Sequence, residues 1–254
     1  MFTRQPSLPV VIISRLFECQ QELKWTKVEF DRFADEYREI HARNISVSGD
    51  ASELFAEYKI LDIVRPASGR SVEVKAVLDF GCGVGTSTPY FFRHFPSVAI
   101  TGVDISKKSL DVEISRFGSQ ATFTCLGERS IELPNDCFDV VFTACVFHHI
   151  PWEERDLWLS ELLRVTRPGG IIAILERKLW NPLTVHALNT CEFDEHARLL
   201  NSRQLERRLK KVYWNAVRHE YRIFFPRALS LLRHLEKFMM WLPFGAQYSV
   251  AAQK

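Results

Sequence analysis

Val77-Leu78-Asp79-Phe80-Gly81-Cys82-Gly83-Val84-Gly85 is followed, further along the chain, by Gly102-Val103-Asp104. The order reads as a buried strand, a glycine-rich turn, a helix, a second strand and an acid at that strand's end. A nucleoside site needs these parts. Glycine takes positive φ without a Cβ clash and lets the backbone come close to a ligand. The helix that follows offers unpaired N–H groups at its start. An acid ending the second strand can accept hydrogen bonds from both ribose hydroxyls.

The glycine spacing separates two kinds of cofactor. A dinucleotide turn is G-x-G-x-x-G, its third glycine allowing close helix–strand packing. Here the glycines stand at 81, 83 and 85, and Thr86 occupies the place of that third glycine. The spacing therefore disfavours an NAD-dependent oxidoreductase. Downstream, Ala99-Ile100-Thr101-Gly102-Val103 is a short apolar strand leading to Asp104, with Ser106 placed to cap the next helix. Ala121 to Leu126 is a third strand, ending at Gly127-Glu128. Leu133-Pro134 then precedes a fourth strand, Phe138 to Ala144, whose carboxyl end carries Cys145-Val146-Phe147-His148-His149-Ile150-Pro151. Arg164-Val165-Thr166-Arg167-Pro168-Gly169-Gly170 turns into a fifth strand, Ile171 to Leu175.

Asp-x-Gly-x-Gly-x-Gly with these ordered motifs, over residues 77–175, resembles the class I S-adenosylmethionine (SAM)-dependent methyltransferases. The resemblance is to the type 11/12-like kind, which acts on small molecules or on glycan- and lipid-associated acceptors. It implies an α/β, Rossmann-like fold: a seven-stranded, mostly parallel sheet with an antiparallel last strand, a helical N-terminal cap, and here an amphipathic helix inserted before that last strand. It implies SAM as cofactor and S-adenosylhomocysteine as product. The cofactor contacts carried over are Asp79, Gly81, Cys82, Gly83, Gly85, Asp104, Ile105, Glu128, Arg129 and Ala144. Asp104 stands as the ribose ligand and Glu128 as the partner of the adenine amino group. Phe30-Asp31-Arg32-Phe33-Ala34-Asp35-Glu36-Tyr37 resembles the cap segment that folds over the cofactor, with Tyr37 beside the acceptor.

A SAM-dependent transfer asks the protein for alignment and exclusion of water, which can supply most of the barrier reduction. A base is needed when the acceptor is a hydroxyl. His148 and His149 are the candidates, because ligands of open α/β sheets bind beyond the strands' carboxyl ends and an imidazole pKa of about 6.5 suits proton transfer near neutrality. The bland alternative is a histidine that only shapes the pocket. His186 and His196 are weaker candidates, and Glu192, Asp194 and Glu195 could meet polar acceptor groups or simply start a helix.

The rest of the chain sets boundaries. Residues 1–27 read as an extension, 28–70 as a helical cap, and 71–254 as the methyltransferase domain with a helical insertion at 226–243. Residues 202–211 read as a basic helix, Val217 to Phe225 as the sixth strand, and Gln247 to Gln253 as the seventh. No apolar run approaches the roughly 18–20 residues that span a bilayer. The six cysteines, at 19, 82, 125, 137, 145 and 191, include no Cys-x-x-Cys pair, so a zinc site has no support. Buried reduced thiols fit a cytoplasmic protein, at most peripheral to the inner face of the membrane.

Residues 1–176 hold 19 Lys/Arg against 25 Asp/Glu, while residues 177–254 hold 14 against 6. A basic C-terminal third could attract anionic substrates, headgroups or nucleic acid, or be no more than a solvated face. The insertion has apolar residues at 228, 231, 232, 235, 238, 239 and 242, with Arg227, Arg233, His234 and Lys237 between them. Such a stripe suits packing on the domain, a second subunit in a homodimer, the wall of the acceptor pocket, or a membrane surface. No RNA-binding module and no Asn-Pro-Pro-Tyr-type motif is present, so a nucleic-acid acceptor is not expected. The expectation is a methyltransferase acting on an oxygen of a small-molecule, sugar or lipid-linked acceptor. The alternative is a catalytically silent subunit that binds a partner or membrane surface through the basic region.

Overall fold

The computed structural model describes residues 56–61, 63, 74–178, 198, 200–225 and 227–254. Seven strands form one sheet: β1 Ala76–Phe80, β2 Ala99–Asp104, β3 Thr122–Cys125, β4 Phe138–Ala144, β5 Thr166–Arg177, β6 Asn215–Arg222 and β7 Gln247–Gln253. Their order across the sheet is β3-β2-β1-β4-β5-β7-β6. All neighbours run parallel except β7, which is antiparallel to both β5 and β6. Four helices pack on or beside it: α1 Thr88–His94, α2 Lys107–Phe117, α3 Arg155–Val165 and α4 Ser202–Lys211.

The central strands read as unbroken apolar runs because both faces are covered. Alternate residues feed two cores. Leu78, Phe80, Val141, Ile172 and Ile174 join Trp158, Leu159 and Leu162 of α3 and Leu205 and Leu209 of α4. Val77, Val140, Phe142, Ala173 and Leu175 join Phe91 of α1 and Ile60 and Ile63 from the other side. Each fully buried side chain of this size contributes about 1.5–3 kcal/mol. A side-chain cap starts both of the well-defined middle and late helices. Ser106 accepts from the Ser109 amide at 3.1 Å, and Asn201 accepts from the Gln204 amide at 2.8 Å while the Gln204 side chain returns the bond.

The parallel order makes the strands' carboxyl ends meet at one edge. In register, Asp79 lies beside Gly102 and Phe142, Asp104 beside Cys125, and Ala144 beside Leu175. The chain reverses its direction of spread between β1 and β4, which opens a crevice there. Asp139 secures the opposite edge, accepting from the amides of Lys75 and Ala76 and from the Arg167 guanidinium.

Some boundaries differ from the sequence reading. β5 begins at Thr166 rather than Ile171, because Thr166 pairs with Phe138 before the chain bulges through Gly169, at φ 81°, and resumes pairing at Ile171 with Val140. β6 ends at Arg222, not Phe225. The insertion is helical, as expected, but is not one α-helix. It consists of a 3₁₀ segment, Arg227–Leu235, kinked at Leu229, and a single α-turn, α5 Glu236–Met239. Most helical stability in proteins comes from packing an apolar face. Leu231, Phe238 and Trp241 find little such cover and stand 86%, 67% and 75% exposed. The expected cap and extension, with Tyr37, lie outside the described residues, apart from the helical stretch at 56–61. Cys19, Cys191, His186, His196, Glu192, Asp194 and Glu195 also lie outside them.

Candidate cofactor and acceptor site

The glycine turn leaves β1 at the crevice. Gly81, Gly83 and Gly85 have φ of 75°, 58° and 75°. The amides of Gly81 and Cys82 donate to the Val103 carbonyl, which ties the turn to β2. The three glycines answer to different demands. A Cβ on Gly81 would lie 2.3 Å from Val146 Cγ2, and one on Gly85 would lie 2.7 Å from Glu113 Cγ. A Cβ on Gly83 would meet nothing within 4 Å. Gly81 and Gly85 admit protein neighbours; Gly83 borders open space, where a ligand can come up to the backbone.

Asp104 ends β2 beside that space and is buried. Its Oδ2 accepts from the Gly83 amide at 2.9 Å and its Oδ1 from the Ser106 amide at 2.8 Å. Both oxygens are therefore oriented, and each keeps lone-pair capacity for a hydroxyl. Ile105, Glu128 and Arg129 are exposed on the same edge, and half-buried Ala144 ends β4. Cys82 is buried beneath the turn.

Three carboxyl groups gather under the loop. Asp79 is buried, its Oδ2 has no hydrogen-bond partner, and burial together with the charges of Glu113 and Asp104 pushes its carboxyl well above the usual range. Glu113, on the buried face of α2, accepts from Thr88 Oγ1 at 2.6 Å. Burial, reinforced by Asp104, raises it to about 7, against the lowering effect of bonds from Cys82 and Thr88. The Cys82 thiol is raised well above its ordinary value, chiefly by burial.

The fourth strand ends in a constrained loop. Cys145 has φ 60°, uncommon for a residue with a side chain. Glu176, buried at the end of β5, holds the loop with both oxygens. Oε1 accepts from the amides of Val146 and Phe147, and Oε2 lies 2.6 Å from His148 Nδ1. His148 is thereby sequestered, with 2% exposure, while His149 is half-buried and stacks at 4.1 Å between ring centroids. The geometry divides the pair: His148 is held inward by Glu176, and His149 is the one left toward the edge. From the 56–61 helix, Lys59 Nζ reaches to 3.7 Å of Cys145 Sγ, and Glu57 accepts from Arg93 and His94 of α1.

Sequence reasoning missed Glu113, Glu176 and Lys59. Two of them carried a signal. Glu113 falls three residues after Leu110, on the apolar face of its helix, and Glu176 ends an otherwise apolar strand. Lys59 carried none, because only the fold brings it to Cys145. Among the described residues, no His/Cys/Asp/Glu group could hold a metal ion, and no helix is long and apolar enough to cross a membrane.

Strand order 3-2-1-4-5-7-6, a glycine turn after β1 and an acid ending β2 define the class I methyltransferase fold. Residues 77–170 match the family model described as "Methyltransferase domain", and this part of the chain has the fold of a class I SAM-dependent methyltransferase domain. A malonyl-[acyl-carrier protein] O-methyltransferase of Herminiimonas arsenicoxydans is 32% identical over 135 residues, 51% of this chain and 47% of that protein. A 2-methyl-6-phytyl-1,4-hydroquinone methyltransferase of Synechocystis is 28% identical over 134 residues, 52% of this chain and 38% of that protein. The chain thus spans less than half the length of these curated relatives. Among solved structures, a SAM-dependent methyltransferase from Archaeoglobus fulgidus superposes with a TM-score of 0.61 at 16% identity, covering 80% of this chain and 95% of that one. At that identity the likeness speaks for the fold.

The family's cofactor is SAM, and the residues present fit it. Gly83 borders free space, and Asp104 is set for a ribose.

Proposed function

We propose that the chain binds SAM at the β1/β4 crevice and methylates an oxygen of a small-molecule, sugar or lipid-linked acceptor. The observation that carries this reading is the pairing of Asp104 with the Gly83 amide, which presents an oriented carboxylate beside uncrowded backbone. Gly81, Cys82, Gly83 and Gly85 would line the methionine side of the ligand, Asp104 the ribose, and Ile105, Glu128 and Arg129 the adenine. Asp79 and Ala144 would flank the reacting centre, and Tyr37 would meet the acceptor. When bound, SAM supplies an electrophilic methyl carbon on a sulfonium leaving group.

The chain's own residues do the remaining work. The Glu176 anchor fixes the 145–149 loop, and His149 takes the acceptor's hydroxyl proton. His148 is a positioning residue: its bond to Glu176 sets the plane on which His149 stacks. The malonyl-[acyl-carrier protein] O-methyltransferase supports an oxygen acceptor, and the phytyl-hydroquinone methyltransferase supports a small, lipid-like one.

Isothermal titration with SAM and S-adenosylhomocysteine tests the site. Asp104→Ala is expected to weaken both by tenfold or more, on the order of 1.4 kcal/mol. Unchanged affinity in that variant removes Asp104 from the site. Labelled-methyl transfer to hydroxylated, amine and carbon acceptors then tests the oxygen assignment, and transfer to amines alone refutes it.

A further inference from the structure

The insertion between β6 and β7 has surface chemistry that methyl transfer does not use. Leu229, Leu231, Leu232, Leu235, Phe238, Trp241 and Phe244 are all exposed, Leu231, Phe238, Trp241 and Phe244 by 67% or more. A soluble surface seldom gathers so much apolar area unless something binds it. The charges among these residues point one way. Glu236 turns inward, its Oε1 accepting from the amides of Phe224 and Phe225 at 3.0 Å each. His234 and Lys237 are exposed and Arg233 half-buried. Lys237 Nζ lies 4.9 Å from the Phe238 ring, and Lys178 Nζ 5.9 Å from the Phe244 ring. Lys237 therefore stands outward next to outward aromatics and leucines, while Arg233 donates to the Phe225 carbonyl at their border.

Topology places this surface at the working edge. β5 and β6 are both antiparallel to β7, so they are parallel to each other. Arg177, Gln247 and Arg222 align in register, and the segment between β6 and β7 thus leaves from the same carboxyl edge as the glycine turn and His149.

We propose that residues 229–244 form a foot that docks on an anionic lipid bilayer surface, turning the carboxyl edge of the sheet toward the lipid. Large apolar side chains beside Lys and Arg fit the boundary between acyl chains and acidic headgroups, where each cation near the surface adds to the attraction. A second copy of the chain fits less well. A two-fold contact sets a patch against itself, which would bring Lys237 against a second surface that carries the same positive charge.

The test is co-sedimentation of the full chain with phosphatidylcholine vesicles and with vesicles that also contain phosphatidylglycerol. The chain is expected to bind the anionic vesicles and to be released by high salt. Trp241→Ser with Phe244→Ser should weaken binding at least about tenfold, and Lys237→Glu about fivefold. All three side chains are exposed, so thermal melting and SAM affinity should stay as in the parent, and the vesicle result stands apart from the catalytic reading. Absence of vesicle binding, equal binding to neutral and anionic vesicles, or binding untouched by these substitutions overturns the proposal. A dimer in light scattering that Trp241→Ser with Phe244→Ser dissociates assigns the surface to a second copy and overturns it as well.

Discussion

The β1–β4 crevice and the β6–β7 insertion stand at the same edge of the same sheet, yet they are built on opposite terms. At the crevice every backbone turn is braced. Gly81 has Val146 against it, Gly85 has Glu113, and Glu176 binds the loop after β4. The acids beneath its turn, Asp79, Asp104 and Glu113, are buried. In the insertion the side chains face outward, the outward charges are basic, and the helix dissolves into a 3₁₀ segment and one α-turn. One region gains its shape from packing within the chain; the other has apolar side chains that the described residues leave uncovered.

Four experiments press on this contrast. The largest effect belongs to the core that supports the crevice. Phe142 is fully buried in β4 and meets Phe91 edge-on at 5.3 Å between centroids. Phe142→Ala is expected to cost about 3–5 kcal/mol in denaturant unfolding, and a loss under about 1 kcal/mol would mean that this face is loosely packed. Next is catalysis. With an acceptor in hand, His149→Ala should lower kcat about a hundredfold and leave SAM affinity intact. His148→Ala should instead lower stability and shift the pH profile, because it strips Glu176 of its partner. Equal kcat losses without any stability change would contradict the division between the two rings.

The third effect is in pH. Glu113 is raised from 4.5 to about 7 in the folded chain. Between those values the folded state holds a proton that the unfolded state has released, so stability falls as pH rises from about 4.5 to about 7. Glu113→Gln should flatten that part of the stability curve, a change on the order of 1 kcal/mol. A slope that survives the substitution puts the proton elsewhere, with Asp79 the next group to examine. The smallest effect belongs to the insertion: Leu231→Ser should alter the unfolding free energy by less than about 0.5 kcal/mol. A larger loss would show that Leu231 is covered in solution.

The same contrast explains what could be read from the chain. The turn at 81–85, Asp104 and the strands through Ala144 were legible because each is local: a glycine spacing, an apolar run, a cap at Ser106. The seventh strand, Gln247–Gln253, was legible through the strand order that the family resemblance implies. The insertion misled by the same logic. Its apolar spacing is helical, but spacing alone does not supply the surface that makes a helix persist. Glu176 and Lys59 act across 28 and 86 residues of sequence, on His148 and Cys145, and no local pattern encodes such a meeting. The two adjacent histidines looked interchangeable until a carboxylate on another strand distinguished them.

Glu176 also bears on how the chain is made. The loop after β4 leaves the ribosome before its anchor, which follows 28 residues behind His148. Until β5 slots in beside β4, Val146 and Phe147 have no acceptor for their amides there and His148 has no carboxylate. A nascent chain halted before residue 176 can hold β1 to β4 and the glycine turn, yet its histidine loop has nothing to lock against. The glycine turn and Asp104 thus precede, in the order of synthesis, the anchor on which the histidine loop depends.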